Sequence, residues 1–210
     1  MLVMIYIIDE IELLDDAFFE SMNSLLSVER YQKVQRLRSS SGRNASTAAY
    51  LLLRFALRDL YQISEPVEFK FASKGKPVLR NYPRIHFNLS HSKGVAACVV
   101  ALFEVGIDVQ NIRNVSGKTA KRVLTEEEFG TFLESSNPNE YFCSLWTIKE
   151  SYLKMTGQGI RTELRNISAE EVENIHTFKG VDYYCSVCGS VASIDKVRHI
   201  GREDLEQLYK

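Results

Sequence analysis

The chain has 210 residues, 45% of them hydrophobic and 25% charged, and a formal net charge of −1. That balance supports an ordinary globular core, and the near-neutral charge excludes the global basic field that a nucleic-acid binder presents. The length admits one large domain or two small lobes sharing an interface.

In chain order, the apolar start MLVMIYII is stopped by Asp9 and Glu10 and has no basic segment before it. It is too short to span a membrane and unlike a signal peptide, so it reads as a first β-strand. With no targeting segment visible, the expected location is the cytoplasm. Residues 11–26 place apolar and acidic positions at helical spacing. Ser27 is a predicted N-cap for VERYQKVQRLR, a helix carrying Arg30, Lys33, Arg36 and Arg38, which SSSG at 39–42 breaks. A second helix runs from Ala45 to Tyr61, with Leu52, Phe55, Ala56 and Leu60 as its buried stripe.

After Pro66, VEFKF (67–71) alternates like a half-buried strand and SKGKP (73–77) is a turn by composition. HFNL (86–89) and VAACVVALF (95–103) read as strands joined by the polar turn SHSKG, and VGIDV (105–109) as another strand. Helices are predicted over 117–134 and 141–156, and strands over 181–188 and 191–199. Helices interleaved with hairpins, without strict βαβ alternation, indicate an α+β fold in two lobes. Of the cysteines at 98, 143, 185 and 188, the last two form a CxxC. They lie on a strand, where residues three apart face opposite ways, and no second pair completes a zinc site. Buried thiols in a reducing compartment are expected.

Four segments carry candidate chemistry. In VGIDVQ, strand phase puts Val105, Ile107 and Val109 on one face and Gly106, Asp108 and Gln110 on the other. Asp108 is then either a strand-end acid satisfied by a turn or an acid aimed at a ligand, beside a glycine that permits close approach. In LWTIKESYLKMTGQG, Leu145, Ile148, Tyr152 and Met155 form a core stripe, with Thr147, Glu150 and Lys154 on a separate stripe. Glu150 and Lys154 are either a surface i,i+4 pair or a metal carboxylate one turn from a phosphate-binding ammonium. Asn88, Ser90, His91 and Ser92, with Lys74, Gly75 and Lys76, offer donors suited to phosphate. Ser90 and His91 are adjacent and lack a GxSxG frame, which makes a hydrolase pair a poor fit.

Taken in order, GKP (75–77), FNLSHS (87–92), GIDVQ (106–110) and WTIKESYLKMTGQG (146–159) resemble the surfactin-type 4'-phosphopantetheinyl transferases. The likeness also takes in the basic helix near residue 30 and LTEEEF (124–129). It implies a pseudo-dimer of two similar α+β lobes, here 1–104 and 105–210, with coenzyme A in the cleft between them. By that resemblance Asp108 and Glu150 hold Mg²⁺ against the pyrophosphate, Glu128 lies near the metal and its water, and Lys154 lies along the phosphates. His91 and the basic helix, through Arg30 and Lys33, face the 3'-phosphate. Ser46, Lys76, Pro77 and Ser90 match coenzyme-contacting positions. Many relatives have a second acid where this chain has Gln110, whose amide oxygen still has the means to ligate magnesium or orient its water.

The implied reaction moves phosphopantetheine from coenzyme A to a serine of an acyl or peptidyl carrier protein and releases 3',5'-adenosine bisphosphate. Its demands are charge neutralisation and alignment, with Glu150 or a metal-bound water held by Glu128 as base. The rivals are another magnesium phosphotransferase or nuclease, and a non-catalytic binder of coenzyme A or carriers. Arg113, Lys118, Lys121 and Arg122 are candidates for a lip that meets an acidic carrier, or else a solvated charged face. A monomer with neither nucleic-acid nor membrane partners is expected.

Overall fold

The computed structural model describes residues 3–72, 75–159, 163–189 and 196–209. The segment MIYII forms β1 (Met4–Ile8), and VAACVVA forms β5 (Val95–Ala101), paired antiparallel with β1 and with β4 (His86–Ser92). Both central strands are apolar on every residue because both faces are covered. On one face, Tyr6, Ile8, Ala96, Cys98 and Val100 pack against α3 (Ser40–Tyr61). On the other, Ile5, Ile7, Ala97 and Val99 meet Val105, Ile107, Val109, Cys185 and Val187 of a second sheet. That sheet is antiparallel, in the order β6 (Val105–Asn111), β8 (Tyr183–Gly189), β7 (Ile175–Lys179). Its outer face carries α6 (Pro138–Thr156).

Each half therefore runs strand, long helix, hairpin, and in each the last strand of the hairpin lies in the middle: β4–β5–β1 and β6–β8–β7. The fold is α+β, with a small hairpin of β2 (Phe69–Phe71) and β3 (Pro77–Leu79) beside the first half. Further helices are α1 (Asp16–Met22), α2 (Val28–Gln35), α4 (Gly117–Val123) and α5 (Glu126–Glu134).

Several expectations change. The predicted helix over 117–134 divides, because Thr125 accepts from the Glu128 amide and starts a new helix with a capping box. SSSG begins α3, with Ser39 accepting from the Gly42 amide. Ser90, His91 and Ser92 belong to β4, and the turn is confined to Lys93 and Gly94, whose φ of +75° suits glycine. β7 is an unpredicted strand. Lys74 and the 191–195 part of the last predicted strand lie outside the described residues.

The division at 104/105 falls between β5 and β6, but the C-terminal segment departs from it. β9 (Lys196–His199) pairs parallel with β1, and α7 (Arg202–Glu206) brings Leu205 into the first half's core. Residues 196–209 thus pack with the first lobe. All four cysteines are free and buried. Burial raises every one of these thiols, Cys143 and Cys188 to about 11, which leaves them poor thiolates. Among the described residues no helix is long and apolar enough to cross a membrane.

Candidate active site

Helix α6 comes unusually close to β6. A Cβ on Gly106 would lie 2.0 Å from the Ser151 carbonyl oxygen and 2.4 Å from the Met155 nitrogen, so only glycine fits. The helix face on the sheet is made of Cys143, Thr147 and Ser151, all buried. The predicted stripe of Leu145, Ile148, Tyr152 and Met155 is only half-buried. Small side chains replace it because the sheet presents Gly106, Asp108 and Ser186 here, and Thr147 and Ser186 share a 2.7 Å hydroxyl contact.

This approach brings Glu150 and Lys154 over Asp108. Asp108 is 6% exposed. Its Oδ1 accepts from Ser90 Oγ at 2.8 Å and Lys154 Nζ at 2.5 Å, while its Oδ2 is buried with no partner. The Glu150 carboxyl is pushed above its ordinary range by burial first and by the Asp108 charge second, with Lys154 opposing. A buried orphan oxygen beside a second, mutually repelled carboxylate fits a hard cation. Gln110 lies one pleat along the same face, its Nε2 donating to Ser92 Oγ and Asn111 O, each at 3.3 Å. Among the described residues no three His, Cys, Asp or Glu side chains gather round a metal position. Two carboxylates nevertheless suffice for magnesium when phosphates and water complete its shell.

Across β4 lies a cluster of cations. Arg30 Nη2 donates to the Ser46 carbonyl at 2.5 Å and hydroxyl at 3.0 Å, and the guanidinium lies 5.6 Å from the Tyr50 ring centroid. Its Nε is buried without a partner. Burial lowers Lys33, with Arg30 adding to the effect. His91 is driven down to about 4 by burial and then by Arg30, Lys154 and Lys33. Among the described residues no carboxylate pairs with Arg30 or Lys33, so the cluster is left to an anion. Ser90 and His91, as neighbours on an extended strand, face opposite ways: Ser90 towards Asp108, His91 towards the cations.

A cavity of about 320 Å³ between the halves is lined by Lys76, Pro77, Asn88, Glu150 and Lys154. The Lys76 ammonium is already engaged, with Glu104 and with the Met155 carbonyl at 2.8 Å near the end of α6. A larger cavity of about 720 Å³ shares Glu150 and Leu153 with the first and adds Trp146, Lys121, Arg122 and Arg165. Glu150 thus stands between two openings.

Glu128 is engaged by other partners. Its Oε2 accepts from the Thr125 amide at 2.8 Å and from Lys149 Nζ at 2.5 Å, and its Oε1 from the Ala169 amide at 2.9 Å. No hydrogen bond or ion pair joins it to Asp108, Glu150 or Lys154, and three donors leave its oxygens little capacity for a metal or its water. Lys149, fully buried, was not singled out by the sequence; nothing in its spacing separates it from a solvated lysine. Asn88 has a visible signal, the polar alternation of residues 88, 90 and 92.

Residues 104–189 match the 4'-phosphopantetheinyl transferase superfamily (ACPS). The 4'-phosphopantetheinyl transferase psf-1 of Bacillus pumilus is 31% identical over 160 residues, which cover 74% of this chain and 68% of that protein. The 4'-phosphopantetheinyl transferase Sfp of Bacillus subtilis (strain 168) is 28% identical over 152 residues, 71% and 68% of the two chains. The solved holo-[acyl-carrier-protein] synthase of Thermotoga maritima aligns with a TM-score of 0.31 at 18% identity, over 41% of this chain and 62% of that one, too slight a likeness to argue from. On the strength of the sequence matches, the chain belongs to the 4'-phosphopantetheinyl transferase superfamily.

Proposed function

We propose that this protein transfers the 4'-phosphopantetheine group of coenzyme A to a serine of an acyl or peptidyl carrier protein, using Mg²⁺ held by Asp108 and Glu150 beside Gln110. The observation that carries the reading is unmet bonding capacity on either side of β4. Asp108, paired with Lys154 through one oxygen, keeps the other buried and unpartnered next to Glu150, and among the described residues no carboxylate pairs with the cations around His91. Coenzyme A has a pyrophosphate and a 3'-phosphate, one for each side.

Arg30, fixed by Ser46, binds the 3'-phosphate together with Lys33 and His91. Lys76 and Pro77 wall the cavity, the lysine through its alkyl stem. Lys154 supplies positive charge to the pyrophosphate oxygens. Glu150, which stands between the two openings, takes the proton of the acceptor serine. The serine oxygen bonds to the phosphorus bearing pantetheine, the bond to the adenosine 5'-phosphate oxygen breaks, and 3',5'-adenosine bisphosphate leaves with that electron pair. Magnesium, when bound, neutralises charge on the pyrophosphate and on the leaving group. The larger opening, basic at Lys121 and Arg122 and apolar at Trp146, suits a carrier that is acidic around its serine.

The test is incubation with coenzyme A, Mg²⁺ and a panel of apo-carriers, read by intact mass. One phosphopantetheine should be added at the serine, with release of the bisphosphate. Asp108→Ala should lower the rate at least about a hundred-fold and remain folded, because the carboxylate faces α6 and not the core between the sheets. Tight coenzyme A binding with no mass gain on any carrier would identify a non-catalytic binder instead.

A further inference from the structure

The two halves meet along a seam that is not a backbone ladder. β4 is an edge strand of the first sheet and β6 of the second. Between them, side chains of β4 accept from amides of β6 at a constant offset of 19 residues: Asn88 Oδ1 from Ile107 at 3.1 Å, Ser90 Oγ from Val109 at 3.2 Å, and Ser92 Oγ from Asn111 at 3.3 Å. The period is that of a strand, so each successive inward side chain of β4 satisfies one outward N–H of the β6 edge. FNLSHS is polar at alternate positions because these side chains take the place of a neighbouring strand's carbonyls.

The seam also separates the two charge clusters. His91, between two rungs, faces Arg30 and Lys33, while Ser90 donates to Asp108 and accepts from Lys154 at 2.9 Å. The register of β4 on β6 therefore sets how far the cation cluster stands from the carboxylate pair. A slip to the next matching register would move Asp108 by about 6.6 Å, two strand residues. It would also offer a serine where the longer asparagine now reaches.

We propose that Asn88 is a positioning residue, the end rung of a side-chain ladder that fixes the anion-binding half against the half that carries Asp108 and Glu150. The proposal rests on the transfer reading above. Ser90 and Ser92 touch candidate site residues directly. Asn88 also lines the smaller cavity, but it is only 8% exposed and its side-chain oxygen is held by the Ile107 amide.

The experiment compares wild type with Asn88→Leu, which keeps the side chain's length and branching and removes the acceptor. Asn88→Ala is the second variant should the leucine not fold. By NMR without ligands, Ile107 amide exchange should accelerate at least about ten-fold, while that of Asp108, whose N–H lies on the β8 side, stays unchanged. Without metal, 3',5'-adenosine bisphosphate should bind within two-fold of wild type, because Arg30, Lys33, Ser46 and His91 all lie in the first half. With Mg²⁺, kcat for transfer should fall about ten-fold or more, as expected when reacting groups are misplaced. Unchanged Ile107 exchange overturns the ladder. Freed exchange with unchanged kcat, or a parallel fall in bisphosphate affinity, overturns the positioning role. A wild type with slow Ile107 exchange that modifies no carrier overturns the transfer reading while leaving the ladder standing.

Discussion

His91 shows most directly how surroundings define a residue here. It shares a strand with Ser90, yet its imidazole faces Arg30 and Lys33 and is held near pH 4, against an ordinary value of 6.5. A depressed histidine is neutral when folded and charged when unfolded between those two values. On its account the free protein should lose stability as pH falls from about 6.5 towards about 4. A bound phosphate would oppose the three cations and favour imidazolium, so binding should take up a proton. NMR titration of the His91 ring should give a midpoint near 4 in the free protein and a clearly higher one with saturating 3',5'-adenosine bisphosphate. A midpoint that does not move would mean that the cation cluster is not the anion site. The sequence made His91 a phosphate candidate through the company of nearby donors. Its suppressed charge was not legible, because Arg30 and Lys33 approach it only through the packing of α2 on α3.

At the scale of elements, the Glu128–Lys149 pair braces the end of α4 and the start of α5 against α6. Lys149 Nζ also donates to the Val123 carbonyl at 2.9 Å, so one ammonium ties three helices one residue from Glu150. Breaking a buried pair strands the surviving charge and costs roughly 3–5 kcal/mol. Lys149→Met should lower stability by about that much, and adding Glu128→Gln should restore a substantial part. Glu128→Gln alone should shift the denaturation midpoint and leave the Mg²⁺ concentration for half-maximal transfer unchanged; a changed magnesium dependence would return Glu128 to the metal. The sequence carries the capping signature T-x-x-E at 125–128, while the family resemblance implies a place near the metal for the same glutamate. The strand–helix–hairpin repeat was not legible, because the two halves build it from different side chains. Its long helix is faced with alanine and leucine in α3, and with cysteine, threonine and serine in α6. Gly106 and Asp108 were legible because strand phase alone separates them from Val105 and Ile107.

The whole molecule is closed by its last segment. β1 follows the chain's first residues, yet one of its edges is covered only when β9 returns from the second half. Ile200 and Leu205 then fill the first half's core at 4% and 0% exposure. Arg198 binds Asp59 at 3.0 Å and lies 4.9 Å from the Phe55 ring centroid, which clamps the segment to α3. No hydrophobic period announced this crossing, since KVRH is a mostly charged edge strand whose partner lies almost the whole chain away. The boundary at 104/105 therefore leaves residues 196–209 packed on the first half. Burying two aliphatic side chains of this size contributes about 1.5–3 kcal/mol each, a large share of the roughly 5–15 kcal/mol that holds a domain together. Deleting residues 196–210 should therefore lower the urea midpoint sharply and weaken 3',5'-adenosine bisphosphate binding, because α3 carries Ser46 and packs against α2. Among the described residues, those of the carboxylate site lie on β6 and α6, which the deletion does not touch. A truncated protein with the wild-type midpoint would show that the first half closes without the returning strand. A lowered midpoint with intact bisphosphate affinity in the folded fraction would confine the segment's role to stability.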